Sequence, residues 1–270
     1  MFPTGEGGMA FLQYDYQDQN RNWSGTSRAP AANNDDKEIS THFAMFGLQY
    51  MFTPQWGAQI EVPYDFRSFT KNNSGSLVTR NWSQLGDIRV EGIYTGFTED
   101  LSAGVTFGLK LPTGDYKFDS DIVDRDTQIG TGSTDLLLGG FYRGNLDRNQ
   151  RWGWFAQLQL DVPALIQDQY RPGIEVDAAA GIVYKGFSHG RVKISPLAQV
   201  IFSERTSDSG ANSASPVASG YQRIMVSPGV EFHIHPVRIY ADAEFPVFQN
   251  FTGNQLAASV LFKLSLSFMF

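Results

Sequence analysis

The stretch LFKLSLSFMF, residues 261–270, decides the fold. Extended back to Leu256, it places Leu256, Ala258, Val260, Phe262, Leu264, Leu266, Phe268 and Phe270 on one parity. Ala257, Ser259, Leu261, Lys263, Ser265, Ser267 and Met269 occupy the other. A period of two describes a β-strand with one apolar face and one mostly polar face. The run is long for a strand of a soluble protein, where about five or six residues are usual. Its apolar face looks either at a protein core or at lipid.

The pattern recurs along the whole chain. Alternation predicts about twelve strands, near 8–17, 40–52, 57–67, 83–97, 101–113, 134–145, 152–163, 174–186, 191–203, 221–234, 237–248 and 255–270. In the third, Ala58, Ile60, Val62, Tyr64 and Phe66 alternate with Gln59, Glu61, Pro63, Asp65 and Arg67. Helical spacing fits none of these segments as well. The connections alternate in length. Those at 53–56, 98–100, 147–150, 188–190 and 235–236 are tight. Those at 18–39, 68–82, 114–133, 164–173 and 204–220 are long and rich in Asn, Asp, Ser and Gly, and the one at 249–254 is shorter. Up-and-down connectivity then gathers the tight turns at one end and the long loops at the other. No segment stands apart as a linker, so residues 1–270 read as a single domain.

Composition narrows the classes. The chain has 270 residues, no cysteine and a net charge of −7. Disulfide and thiolate sites are excluded, and an acidic chain argues against nucleic acid. The mean hydropathy of −0.26 reads as soluble, and no apolar run reaches the roughly 18 residues of a membrane helix. A transmembrane β-barrel reconciles these facts, because half of each strand faces a polar lumen. The opening MFPTGEGG lacks the basic head and apolar segment of a signal peptide, so the chain reads as a mature form.

Which way the apolar face points is argued from its aromatics. Tyr50, Phe52, Tyr94, Trp152, Trp154, Tyr184, Phe268 and Phe270 gather toward the tight-turn end, and Tyr14, Tyr16, Tyr64, Phe66 and Phe202 toward the loop end. Two aromatic belts around an aliphatic band match two membrane interfaces. A dozen strands closing on aliphatics alone would also leave a cylinder too wide to fill. The expected fold is an all-β, closed, up-and-down antiparallel transmembrane barrel with short periplasmic turns and long extracellular loops.

The charges on the opposite face become candidate lumen-lining residues: Asp15, Glu61, Asp65, Arg67, Asp87, Arg89, Glu91, Lys110, Asp135, Arg143, Asp161, Glu175, Asp177, Glu231, Arg238, Asp242, Glu244 and Lys263. They make either a polar passage with a slight preference for cations or a salt-bridged filling. Phe11, Phe43, Phe141, Phe155, Tyr240 and Phe248 share that face, as apolar patches for a solute or as packing.

Other candidates have plainer readings. His233 and His235 share a face with Glu231, which offers metal ligands short of a complete set, or two solvated histidines. DSDIVDRD, 119–126, is acidic enough to hold calcium loosely, but it lacks the glycine and terminal Glu of an EF-hand and reads as a solvated loop. Ser40 and His42 share the lipid-facing parity near the loop rim, a pair in principle able to attack a lipid ester, with no third group evident. No Walker, Gly-x-Ser-x-Gly or His-Glu-x-x-His motif occurs. No cofactor is expected.

Two resemblances add to this reading. The final strand, alternating and ending on Phe, resembles the terminal signature of Gram-negative outer-membrane proteins. That likeness implies that Leu264, Leu266, Phe268 and Phe270 are read by the barrel-assembly machinery, an outer-membrane location and a lipid-bilayer environment. GLKLPTGDY, 108–116, followed by IGTGSTDLLLGGFYRG, 129–144, resembles the outer-membrane transporters of the phenol meta-pathway family. That likeness implies passage of small, often aromatic, solutes. The expected function is thus an outer-membrane channel for small solutes, aromatic or hydrophobic ones among them. The alternatives are a structural or partner-docking barrel with a filled bore and, more remotely, an outer-membrane lipid hydrolase.

Overall fold

The structure is a computed structural model and describes residues 6–213 and 218–270. The first five residues of the MFPTGEGG stretch and residues 214–217 of the 204–220 loop lie outside the described residues. The strands are β1 (Gly7–Gly25), β2 (Ser27–Arg28), β3 (Asp36–Met51), β4 (Trp56–Asn73), β5 (Ser76–Leu85), β6 (Ile88–Tyr94), β7 (Ala103–Leu111), β8 (Ser133–Asn145), β9 (Trp152–Ile166), β10 (Glu175–Tyr184), β11 (Phe187–His189), β12 (Val192–Arg205), β13 (Tyr221–Ile234) and β14 (Val237–Met269).

Each strand pairs antiparallel with its sequence neighbours, and β1 pairs with the second arm of β14, so the sheet closes into a barrel. β14 doubles back on itself at Gly253, whose φ is 76°. Met269 N–H donates to Pro236 O at 3.0 Å, which brings the two ends of that element together. β5 and β6 follow one another along β4, and β10 and β11 along β12. With β2 a short arm on β1, the described residues fill twelve positions around the wall.

Burial is inverted relative to a soluble protein. In β8, Asp135 is 1% exposed while Leu136 and Leu138 are 53% and 55% exposed. The same inversion sets Leu264 and Leu266 outside and Glu91, Asp161 and Glu244 inside. Only a low-dielectric exterior makes this arrangement favourable, since an exposed aliphatic gains nothing in water. The apolar face therefore looks at lipid. The aromatic belt at the tight-turn end is continuous enough for its rings to touch. Trp56–Tyr94, Tyr142–Trp154, Trp152–Tyr184 and Tyr50–Phe52 have centroids 4.6, 5.0, 4.9 and 5.5 Å apart.

Three sequence expectations change. Residues 68–82 are largely strand rather than loop: β4 and β5 run on past the membrane and turn at Ser74–Gly75, with φ of 53° and 89°. β1 likewise continues to Gly25 and β3 begins at Asp36, which shortens the loop expected at 18–39. These extensions carry polar residues on both faces, so ladder hydrogen bonds hold them with no hydrophobic alternation to announce them. Third, a bulge between Ile224 and Met225 shifts the register against β14 and sets Phe248 opposite Ile224. Phe248 is 41% exposed on the outer face rather than inward. Phe11, Phe141 and Phe155 do point inward, each lying over a glycine of the next strand: Gly47, Gly104 and Gly181. A side chain at those glycines would meet the ring, so these aromatics are wall packing.

Candidate functional site: a charged bore under a clasped loop

The bore holds a cavity of about 480 Å³ lined from β3, β4, β6 to β10, β12, β13 and both arms of β14. Of the charges expected there, Glu61, Arg89, Glu91, Glu175, Asp177, Glu244 and Lys263 line it. Their strands bring them together because each lies on the inward parity at mid-strand. Gln59, Gln157 and Gln159, on the polar parity in sequence, also line the cavity, as do Gln49, Gln199 and Arg223, which were not singled out there. Parity alone identifies Arg223, which sits an even number of residues before Glu231.

In and around the cavity several of the charges are paired. The ammonium of Lys110 contacts Asp135 and lies 3.2 Å from Asp161 Oδ2, which also accepts from Arg89 Nη2 at 3.0 Å. Lys263 Nζ stands 3.4 Å from Glu244 and 4.0 Å from Asp15. Asp242 Oδ2 accepts from Ser227 Oγ, Tyr240 OH and Gln199 Nε2 at 2.8, 2.5 and 3.0 Å. Buried charges persist when they are paired and hydrogen-bonded in this way. Arg143 reaches the Leu101 carbonyl near the tight turns. Glu231 and Arg238 sit half-buried toward the same end, on facing strands.

Asp65 and its neighbours Arg67 and Asp87 behave differently from the expectation of open lining. Arg67 Nη1 donates to the carbonyls of Thr127 and Gln128 at 2.6 and 3.2 Å. Asp87 accepts from Gly114 N–H with one oxygen, at 2.9 Å, and from Thr131 N–H and Oγ with the other, at 2.8 and 2.5 Å. Both side chains hold the loop between β7 and β8. Asp87 occupies the break between β5 and β6, where the wall offers no ladder partner, and so it is free to grip both ends of that loop. The glycine-rich motifs at 112–114 and 130–134 thus form a loop base: Gly130 N–H donates to Asp115 O at 3.0 Å, and Thr113 Oγ donates to Gly86 O at 2.8 Å.

The loop itself folds over the mouth. Val123 and Ile129 pack with Phe69 and Trp82 in a buried cluster, and Phe118 stacks on Trp82 with centroids 4.9 Å apart. Lys71 pairs with Asp124 at 2.7 Å, and Arg80 with Asp119. The guanidinium of Arg125 lies between the rings of Tyr116 and Tyr170, 4.4 and 4.2 Å from their centroids. Tyr170 in turn donates to Asp208 at 2.6 Å, and Asp208 pairs with Arg205 at 2.6 Å. Three loops are thereby joined into one cap. The acidic stretch 119–126 makes this cap, with Asp124 on Lys71 and Asp119 on Arg80 rather than gathered around a common point.

The remaining candidates are not assembled. His42 Nδ1 faces Tyr14 OH at 2.6 Å and its ring lies 4.8 Å from that of Tyr16. Ser40 is opposite Ser68 of the next strand. The rings of His233 and His235 are 6.5 Å apart, and the described residues contain no group of three potential metal ligands. Leu264, Leu266, Phe268 and Phe270 are all exposed on the lipid face.

No protein-family model matches the chain, and no curated protein matches it. Solved structures do. An outer-membrane channel from Pseudomonas putida F1 is similar with a TM-score of 0.72 and 12% identity, over 100% of this chain and 97% of that one. The β-domain of a Bordetella autotransporter, BrkA, is similar with a TM-score of 0.61 and 12% identity, over 98% of this chain and 100% of that one. At this identity the likeness is one of fold, and the fold is that of an outer-membrane β-barrel.

Proposed function

We propose that the chain is an outer-membrane channel for passive entry of small solutes. The observation that carries this reading is the charged cavity of about 480 Å³ in the bore, within the roughly 300–1,000 Å³ span of small-molecule sites. Acids outnumber bases among its lining charges, Glu61, Glu91, Glu175, Asp177 and Glu244 against Arg89, Arg223 and Lys263. A passage so lined prefers cations. The cap restricts the solute to small size. The similar fold of a Pseudomonas putida outer-membrane channel and the sequence likeness to phenol meta-pathway transporters both support passage, with aromatic compounds among the solutes.

The chain acts on its solute by conduction rather than catalysis: at the rim His42 Nδ1 is engaged by Tyr14 OH, and Ser40 lies across the strand pair from Ser68. Reconstitution into planar bilayers and liposomes tests the proposal. Small, mildly cation-selective conductance is expected, with entry of small aromatic compounds above the lipid-only rate. Glu61→Lys should lower the cation preference. A barrel that neither conducts nor admits solute, even with residues 116–128 deleted, would refute it. In that outcome the loops joined over the mouth favour a second reading, a partner-docking barrel.

A further inference from the structure

The stretch of the inner wall from Asp15 through Phe43 to Asp65 carries no base of its own. Asp15 faces Lys263 of β14 on one side and Phe43 of β3 on the other, and Phe43 faces Asp65 of β4. The two acids flank the half-buried ring of Phe43 at one height of the barrel. Asp65 is only 6% exposed, and its Oδ1 has no hydrogen-bond partner; Asp15 Oδ1 has none either. The nearby bases are engaged elsewhere. Lys263 sits closer to Glu244, at 3.4 Å, than to Asp15, at 4.0 Å. Arg67, whose guanidinium carbon is 5.9 Å from the Phe43 ring, donates to Thr41 and to two loop carbonyls. Asp65 forms no ion pair within 4.0 Å among the described residues.

A buried carboxylate without a partner is costly. The face of a phenyl ring attracts a cation, and a carboxylate accepts its N–H groups in strong, charge-assisted hydrogen bonds. An acid on each side of a ring is thus complementary to a compact nitrogen cation. Lys263, which lines the cavity and reaches Asp15, connects the row to that space.

We propose that Asp15, Phe43 and Asp65 form a binding site for a small organic cation, a primary ammonium or a guanidinium, seated over the Phe43 ring between the two carboxylates. The site gives the channel proposed above its solute class and rests on that reading for its role. Its occupancy is measurable without flux.

The test is calorimetric titration of the full-length barrel in detergent with phenethylammonium, with 2-phenylethanol as the neutral isostere and sodium as competitor. Saturable ammonium binding is expected, at least tenfold tighter than the alcohol and resistant to sodium at equal concentration. Asp65→Asn and Asp15→Asn should each weaken it tenfold or more, and Phe43→Leu several-fold. The heat-dependent gel shift of a folded barrel verifies each variant. If Asp65→Asn does not fold, Asp15→Asn and Phe43→Leu decide. Equal binding of the alcohol, displacement by sodium, indifference to all the variants, or no saturable binding would each overturn the site. Flux is measured separately in vesicles. Charge-dependent binding without flux keeps the site and removes the channel reading; flux without charge-dependent binding does the reverse.

Discussion

Gly114 and Gly130 stand back to back at the two ends of the mouth loop. A Cβ added to Gly114 would lie 2.7 Å from the Gly130 Cα, and one on Gly130 would meet the Gly114 carbonyl. No flexible side chain is available there to give way. Gly130→Ala should therefore pry the loop base apart. We expect faster proteolysis within 116–128 and larger conductance than wild type, in a barrel that still folds. Unchanged protection and conductance would show that the base tolerates the methyl group and does not close the mouth.

The clasp has a chemical side as well as a steric one. Asp87 receives donors on both oxygens, and Asn would present an NH₂ group to one set of them. Losing such a buried acceptor costs about 1–3 kcal/mol. Asp87→Asn should loosen the cap to an extent similar to Gly130→Ala, and the double variant should be little worse than either, since both break one unit. Additive loss of protease protection would mean that the two residues act separately.

Wall register predicts unequal tolerance of charge. Leu160 is opposite Leu138 and Val176, on the outer face, while its neighbour Gln159 lines the cavity. Leu160→Arg should destabilise the barrel by about 2–4 kcal/mol if it lies near the bilayer midplane, against a much smaller effect for Gln159→Arg. Folding titrations into lipid bilayers measure both; equal costs would contradict the register.

Lys110 offers a test of the interior pairing. It is the shared cation of Asp135 and Asp161, and Asp135 is 1% exposed. Lys110→Met should cost about 3–5 kcal/mol by leaving buried charge uncompensated. Adding Asp135→Asn should recover part of that loss in the same unfolding measurement. A Lys110→Met barrel as stable as wild type would show that water reaches these carboxylates.

The cap should respond to pH. Asp126, in the short 3₁₀ turn Arg125–Thr127, is exposed to water on one side of the cap. Desolvation, and then the charges of Asp124 and Asp208, push its pKa up from 3.8 to about 6, against the pull of Arg205. The folded loop thus binds a proton that the released loop binds only below about pH 4. Its closed form gains stability as pH falls from above 6 toward 4 and loses it as pH rises through 6. Protease protection of 116–128 should be greater at pH 5 than at pH 8, and Asp126→Asn should reduce the difference. The opposite slope would exclude Asp126 as its source.

What was legible in the sequence follows from where lipid imposes a pattern. Within the membrane each strand has a greasy side and a polar side, so Glu61 against Ile60, or Lys263 against Leu264, declared the orientation. Beyond the membrane the constraint lapses. Gln19–Gly25 and Ser68–Asn73 continue as strands with polar residues on both faces, and they read as loop. The Asn-Ser-Gly run at 73–75 was the one local sign of a hairpin there. The cap was not legible, because Asp87 grips Gly114 and Arg67 reaches Thr127 across separations that no local spacing encodes. The parity of the bore charges was legible, but which of them line the cavity, which pair with one another and which hold the loop was not. Arg223 shares the parity of Glu231 but was overlooked, because the apolar Met225 between them interrupts the polar face of the strand.

The pairing of β1 with the second arm of β14 has a kinetic consequence. Met9 meets Met269 and Tyr16 meets Phe262, so the seam joins the two extremes of the chain, while every other seam joins sequence neighbours. Loop-closure entropy makes such a contact the slowest to form. During folding the wall can zip hairpin by hairpin and still carry two open edges, each with a long row of unpaired amides facing lipid. We therefore expect the hairpins to form before the ring shuts, with cross-links between 9 and 269 among the last to become possible. A weakened seam, for instance at Leu12 or Leu266, should slow maturation more than an equal perturbation between β8 and β9.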